Sequence, residues 1–130
     1  MSAIRILLAD DHQIVRQGLR RILEENPETE VVGEASDGRQ AVQMALDTKP
    51  QVVVMDLSMP QLNGIEAIRQ IARRLPSAKV LVLSMYSDES YVVQALEAGA
   101  TGYLLKDSAD TDLLQAVQAE IGRASCRERV

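Results

Sequence analysis

The sequence predicts an α/β fold, a doubly wound five-stranded parallel sheet with helices on both faces. Short apolar segments alternate with amphipathic segments of helical period, and turn residues separate them. The segment Val52–Met55 is apolar at every position and ends at Asp56, which is typical of a central strand in a parallel sheet. The chain has 130 residues, enough for one domain with its own core.

The strands and helices are predicted in strict alternation. The predicted strands are Ile4–Ala9, Val31–Ala35, Val52–Met55, Val80–Leu83 and Tyr103–Leu105. The predicted helices are His12–Asn26, a short helix marked by Ala41, Met44 and Ala45, and then Ile65–Leu75, Glu89–Ala98 and Thr111–Ile121. Gly99 stands where a helix-terminating C′ glycine is expected. Regular alternation of this kind favours parallel pairing through right-handed crossovers.

Composition narrows the function classes. The net charge of −5 disfavours nucleic-acid binding by this segment on electrostatics alone. Cys126 is the single cysteine, so an internal disulfide is excluded and a reducing, cytoplasmic location is expected. The start of the chain lacks a signal-peptide pattern, and no apolar run is long enough to span a membrane. We expect a domain over residues 1–121, followed at 122–130 by the start of a linker or a tail left by expression.

Polar side chains follow the ends of several predicted strands. Asp10 and Asp11 follow the first strand, Asp56 the third, Ser84 the fourth and Lys106 the fifth. Because the carboxyl ends of parallel strands share one edge, these side chains should converge in one cleft. Clustered carboxylates favour Mg²⁺, and a carboxylate can attack phosphorus to form an aspartyl-phosphate. The lysine and the hydroxyl would stabilise the phosphoryl oxygens.

Each of these residues alone has an ordinary explanation. Asp10 and Asp11 could simply cap the first helix, Ser84 could be a turn residue, and Lys106 could be a solvated lysine. Their joint placement at one edge favours a site. His12 is different, because we interpret it as a surface residue at the start of a helix.

Five short segments in order resemble a known family. They are similar to the response-regulator receiver domain (CheY-like), specifically the NarL/FixJ type, and the resemblance extends from about Ile4 to about Ile121. The matching segments are Ile6–His12, Val53–Pro60, Asn63–Gly64, Val82–Tyr86 and Gly99–Lys106. The resemblance implies a flavodoxin-like (βα)5 fold with strand order 2-1-3-4-5.

The resemblance also implies a role for each matching site residue. These roles are Asp56 as phosphoacceptor and as Mg²⁺ ligand, Asp11 as direct Mg²⁺ ligand, Asp10 as ligand mostly through water, the Ser58 backbone carbonyl as a further ligand, Ser84 as switch hydroxyl, Lys106 as phosphate-pairing lysine and Tyr103 as switch aromatic.

The implied function is that of a phosphoacceptor in a two-component system. A sensor histidine kinase would phosphorylate Asp56, and the domain would pair as a homodimer when phosphorylated. A LuxR-type helix-turn-helix domain, absent from this chain, would bind DNA. Catalysis would be limited to self-phosphorylation and slow autodephosphorylation, so the domain is not expected to be an enzyme. Two alternatives remain: a stand-alone receiver that binds a protein partner, and an aspartyl-phosphate phosphatase. Such phosphatases commonly carry a second Asp where this chain has Ser58, which argues against the last.

Overall fold

Strands and helices alternate along the whole described part of the chain. The computed structural model describes residues 3–56, 64–84, 89–105 and 109–126. Its strands are β1 (Ile4–Ala9), β2 (Thr29–Ala35), β3 (Val52–Asp56), β4 (Lys79–Ser84) and β5 (Gly102–Leu105). Its helices are α1 (Gln13–Glu24), α2 (Gly38–Thr48), α3 (Gly64–Arg74), α4 (Glu89–Ala98) and α5 (Ala109–Cys126). Within these ranges, none of the helices combines the length and the apolar character that a bilayer crossing requires.

The strands form one parallel sheet in the order β2-β1-β3-β4-β5. This confirms the predicted fold class and strand order. The order reverses between β1 and β3, since β2 lies on one side of β1 and the later strands on the other. In open α/β sheets a crevice opens at such a reversal, outside the carboxyl ends of the strands.

The core consists of two layers, one on each face of the sheet. Helices α2, α3 and α4 cover one face, where small buried side chains such as Ala41, Ala67 and Ala95 are common. Helices α1 and α5 cover the other face, where the buried residues are larger, Leu23 and Leu113 among them. Because strands β1 and β3 are buried on both faces, their ends are held rigidly.

Gly99 ends helix α4 as the sequence predicts. The amide of Ala100 donates to the carbonyl of Ala95 at 2.9 Å, and the amide of Gly99 donates to the carbonyl of Leu96 at 3.1 Å. These two bonds define a Schellman motif. Gly99 has φ of +126° and lies directly against Ala72 of helix α3, so both its conformation and its surroundings favour glycine.

Several predicted boundaries differ from the structure, as at the end of α1, which is Glu24 rather than Asn26, and two of the differences have a physical reason. Strand β2 begins at Thr29, because Thr29 is buried, pairs with Ile4 and donates its hydroxyl to the carbonyl of Leu23. Helix α5 continues through Cys126, beyond the predicted end at Ile121. Gly122 lies inside this longer helix. A glycine in a helix interior costs only about 1 kcal/mol relative to alanine, so it does not end the helix. The domain boundary at residue 121 stays a prediction.

Candidate functional site

The two central strands bring two buried carboxylates together. Strands β1 and β3 pair in parallel with Ala9 opposite Met55, so Asp10 and Asp56 follow at the same level of the sheet. Each of the two residues is only 1% exposed. Carboxylates at this depth require a charged or hydrogen-bonding partner.

Asp11 and His12 complete a four-residue cluster at this edge. One ligand atom from each of Asp10, Asp11, His12 and Asp56 lies within 4.8 Å of the others. Carboxylate oxygens are the ligands that Mg²⁺ prefers, and Mg²⁺ usually takes one or two carboxylates and retains water. The donor set therefore fits a hard divalent cation, with three carboxylates available at a partly open edge.

The backbone around Asp10 forms a tight turn between β1 and α1. The Asp10 amide donates to the carbonyl of Ala35 at 3.0 Å, and its Oδ1 accepts from the His12 amide at 2.8 Å. His12 occupies the N-cap position of α1, and its side chain makes no capping hydrogen bond. Because His12 holds the N-cap position, neither Asp10 nor Asp11 is the N-cap residue of this helix.

His12 contacts the acidic residues from the solvent side. Its Nδ1 lies 3.2 Å from Oδ1 of Asp11 and 3.5 Å from Oδ1 of Asp10. The residue is exposed, as its sequence position at a helix start predicts. Its imidazole nevertheless belongs to the acidic cluster, which the interpretation as a simple surface residue missed.

An arginine behind the cluster was also missed. Arg16 donates from Nη1 to the backbone carbonyl of Asp10 at 2.6 Å and from Nε to Oε1 of Glu34 at 2.8 Å. Arg16 precedes the buried residues Leu19 and Leu23 by one and two helical turns, so it lies on the inner side of α1. A basic residue on the apolar stripe of a helix was the signal that could have revealed it.

Glu34 is held by two arginines, and this makes its contribution to stability depend on pH. Burial raises the pKa of Glu34, but the hydrogen bonds from Arg20 and Arg16 outweigh it and hold the pKa below its ordinary value of 4.5. The ionised carboxylate therefore stabilises the fold fully above pH 4.5, and this contribution is lost as the pH falls through the folded-state pKa. We expect Glu34→Gln to destabilise the domain at pH 7 and to cost progressively less at lower pH.

Urea unfolding at several pH values measures this effect. Glu30→Gln removes one negative charge from an exposed position of the same strand and is the matched control. A stability difference between parent and Glu34→Gln that stays constant from pH 7 to pH 3 contradicts the linkage.

The structure describes only some of the remaining predicted site residues. Ser84 ends β4 and pairs with Leu105, and its side chain lies outside what the structure describes. Ser58 and Lys106 lie outside the described residues. Tyr103 lies on β5 opposite Val82 and is 48% exposed. The structure thus brings Asp10, Asp11 and Asp56 together; the roles assigned to all seven residues stay predictions.

The doubly wound sheet and the acidic cluster beside the strand reversal define a class, the CheY-like α/β domains. The comparison with protein families is more specific. The family model for the response regulator receiver domain matches residues 6–118, and the chain belongs to this family.

Individual relatives agree with this assignment. The chain is 48% identical over 117 residues to the transcriptional regulatory protein DegU of Brevibacillus brevis. The matched region covers 90% of this chain and 50% of DegU. A LuxR-family two-component response regulator from Aurantimonas sp. SI85-9A1 superposes with a TM-score of 0.85 at 43% identity, covering 91% of this chain and 84% of that one.

A further solved structure is the isolated REC domain of RcsB from Salmonella enterica serovar Typhimurium in the presence of phosphomimetic BeF3⁻. Its TM-score is 0.82 at 34% identity, covering 91% of this chain and 88% of that one. The chain spans about half the length of the curated relatives it matches.

Proposed function

We propose that this receiver domain accepts a phosphoryl group on Asp56 in a reaction that requires Mg²⁺. The observation that carries the proposal is the convergence of Asp10, Asp11 and Asp56 at the carboxyl ends of β1 and β3. Two of the three carboxylates are buried, so their mutual repulsion is screened only weakly by water. A bound divalent cation relieves that repulsion.

The proposed reaction is a phosphoryl transfer to oxygen. A carboxylate oxygen of Asp56 attacks phosphorus, a new P–O bond forms, and the bond from phosphorus to the donor breaks. The electron pair of the broken bond leaves with the donor, which is acetate when acetyl phosphate is used. Asp11 and Asp56, with Asp10 mostly through water and with the backbone carbonyl of Ser58, would hold Mg²⁺, and the ion would supply positive charge to the phosphoryl oxygens. Lys106 supplies a second positive charge.

Phosphorylation would then shift a conformational equilibrium. Ser84 ends the strand next to Asp56 and can donate a charge-assisted hydrogen bond to a phosphoryl oxygen. Tyr103 lies half exposed on the neighbouring strand, where its ring can move between the surface and the space that Ser84 vacates. The phosphoryl group biases the two states, and the surface around β5 changes as a result.

The partners follow from the family. We propose that this domain is cytoplasmic, that a sensor histidine kinase is its phosphodonor, and that two receiver domains pair after phosphorylation. We propose that DNA is bound by a separate C-terminal helix-turn-helix domain rather than by this receiver domain, because DegU is a transcriptional regulatory protein and the matched region covers only half of it. The structure of a related REC domain in the presence of BeF3⁻ supports an aspartyl-phosphate as the activating signal. No catalysis on a separate substrate is proposed.

Intact-mass spectrometry tests the proposal directly. With acetyl phosphate and Mg²⁺, we expect the parent protein to gain the mass of one phosphoryl group. EDTA should prevent the gain, and excess Mg²⁺ should restore it. Phosphoramidate is the control donor, since it cannot acetylate lysines. Full uptake in EDTA, or no uptake from either donor with Mg²⁺ present, overturns the proposal.

A further inference from the structure

Arg16 links the acidic cluster to the end of a neighbouring strand. The residue is only 15% exposed. Its guanidinium donates to the carbonyl oxygen of Asp10 at 2.6 Å and to the carboxylate of Glu34 at 2.8 Å. The planar guanidinium group presents several N–H donors in a fixed fork, so one side chain can hold two acceptors in a defined relation.

Glu34 and its neighbour Ala35 hold the peptide groups of Asp10 from the strand side. Strand β2 pairs with β1 so that Glu34 lies opposite Leu8. The Ala35 carbonyl accepts from the amide of Asp10 at 3.0 Å, while Glu34 holds the arginine that binds the Asp10 carbonyl. Both the amide and the carbonyl of Asp10 are therefore tied, directly or through Arg16, to consecutive residues of β2.

The carbonyl of Asp10 belongs to the peptide bond that leads to Asp11. Its orientation sets the direction in which the chain leaves β1 and hence the position of the Asp11 carboxylate relative to Asp10 and Asp56. Metal affinity depends on the spacing of the ligands. When a group that orients a ligand is lost, the ligand shifts and the affinity for the metal falls. A rotation of this peptide would spread the three carboxylates apart.

We propose that Arg16 is a positioning residue for the cation site: it fixes the Asp10–Asp11 peptide so that the acidic cluster is preorganised for a divalent cation. This inference rests on the proposed function of the same cluster. The effect is geometric rather than electrostatic, since a positive charge near the site by itself weakens cation binding. Glu34, on the far side of the guanidinium from Asp10, offsets that charge.

Arg20 provides a matched control within the same network. It also binds the Glu34 carboxylate and in addition donates to Glu24 at 2.9 Å. Among the arginines that the structure describes, Arg16 alone has a hydrogen bond to Asp10, and Arg20 has none. A general stabilising ion pair predicts similar consequences for both arginines, whereas the positioning role predicts consequences for Arg16 alone.

The experiment compares Arg16→Lys with Arg20→Lys. Both substitutions keep the positive charge and remove the fork, so any difference between them reports geometry. Backbone amide shifts in ¹⁵N-labelled protein, titrated with MgCl₂, give the dissociation constant without any phosphorylation. We expect Arg16→Lys to raise this constant about tenfold, at the lower end of the range for groups that support metal ligands. Arg20→Lys should stay within about twofold of the parent, because its guanidinium does not touch the ligand backbone.

Two further readouts separate positioning from general structure. With acetyl phosphate, Arg16→Lys should need more Mg²⁺ for half-maximal rate but reach the parent rate at saturation. Without metal, the Asp10 amide should exchange with D₂O faster in Arg16→Lys than in the parent or in Arg20→Lys.

The outcomes distinguish the inference from the function beneath it. If the parent binds Mg²⁺ and Arg16→Lys binds it equally well, the positioning role is wrong and the proposed function stands. Equal losses in the two variants likewise reduce Arg16 to a general stabilising contact. If the parent shows no Mg²⁺-dependent shifts, the cation site itself fails and the inference fails with it.

Discussion

Replacement of Asp56 with Asn is expected to abolish phosphate uptake while leaving the fold intact. The amide has nearly the same shape as the carboxylate, so the packing at the end of β3 is retained. It lacks the anionic oxygen that attacks phosphorus, and the proposed reaction has no other nucleophile. Intact mass after incubation with acetyl phosphate and Mg²⁺ should show the parent mass gain and none for Asp56→Asn.

Asp11→Asn is the matched control for this experiment. It removes the same charge from the same cluster but leaves Asp56 in place. We expect this variant to take up phosphate when Mg²⁺ is raised, because a ligand is weakened and the acceptor is kept. Uptake by Asp56→Asn equal to that of the parent would assign the acceptor to another residue. Full uptake by Asp11→Asn at the parent's Mg²⁺ requirement would remove Asp11 from the ligand set.

Replacement of Gly99 with Ala is expected to destabilise the domain by about 2–5 kcal/mol. An added Cβ would overlap the Cβ of Ala72 in helix α3, and φ of +126° is strained for any residue with a side chain. A loss of this size is a large fraction of the roughly 5–15 kcal/mol that holds such a domain folded. Urea unfolding followed by circular dichroism measures it.

Gly18→Ala should change stability in the opposite direction. Gly18 lies inside helix α1, and an added Cβ there meets nothing within 4 Å. The same chemical change then acts through helix propensity alone, a gain of up to about 1 kcal/mol. Combining Gly99→Ala with Ala72→Gly should restore part of the loss, since it removes the overlap but leaves the backbone strain. Equal effects of the two single substitutions would show that the contact with helix α3 is not what requires glycine.

Much of the fold could be predicted because the local signals agree with one another. Strand β1 and helix α4 lie where the sequence places them, since an apolar run and a terminating glycine mark their ends. Strand β2 was predicted too short. A register shift opposite Ile6 and Leu7 breaks its alternation near Gly33, and its buried start at Thr29 is polar. That hydroxyl donates to the carbonyl of Leu23 across the short connection between α1 and β2, and hydrophobic periodicity does not show such a bond.

The candidate site also has a part that could be predicted and a part that could not. The convergence of Asp10 and Asp56 was predictable because both follow strands whose carboxyl ends share an edge. The contacts of Arg16 with Asp10 and Glu34 were not, because they join α1 to β2 and to the connection after β1, and they depend on how α1 lies against β2. Sequence spacing predicts the position of residues that directly follow the strands. It does not locate the side chains that support them.

The two layers of the core differ in the substitutions that they can accept during evolution. Beneath α1 and α5 the buried residues are Leu, Ile and Val, including Leu19 and Val117, and exchanges among such side chains cost little when total volume is kept. Beneath α2, α3 and α4 many buried positions are alanine, Ala45 and Ala98 among them. At a fully buried alanine a larger side chain must displace its neighbours, and the only smaller residue is glycine. One half of the domain can therefore diverge by repacking, whereas the other must keep its alanines or move its helices.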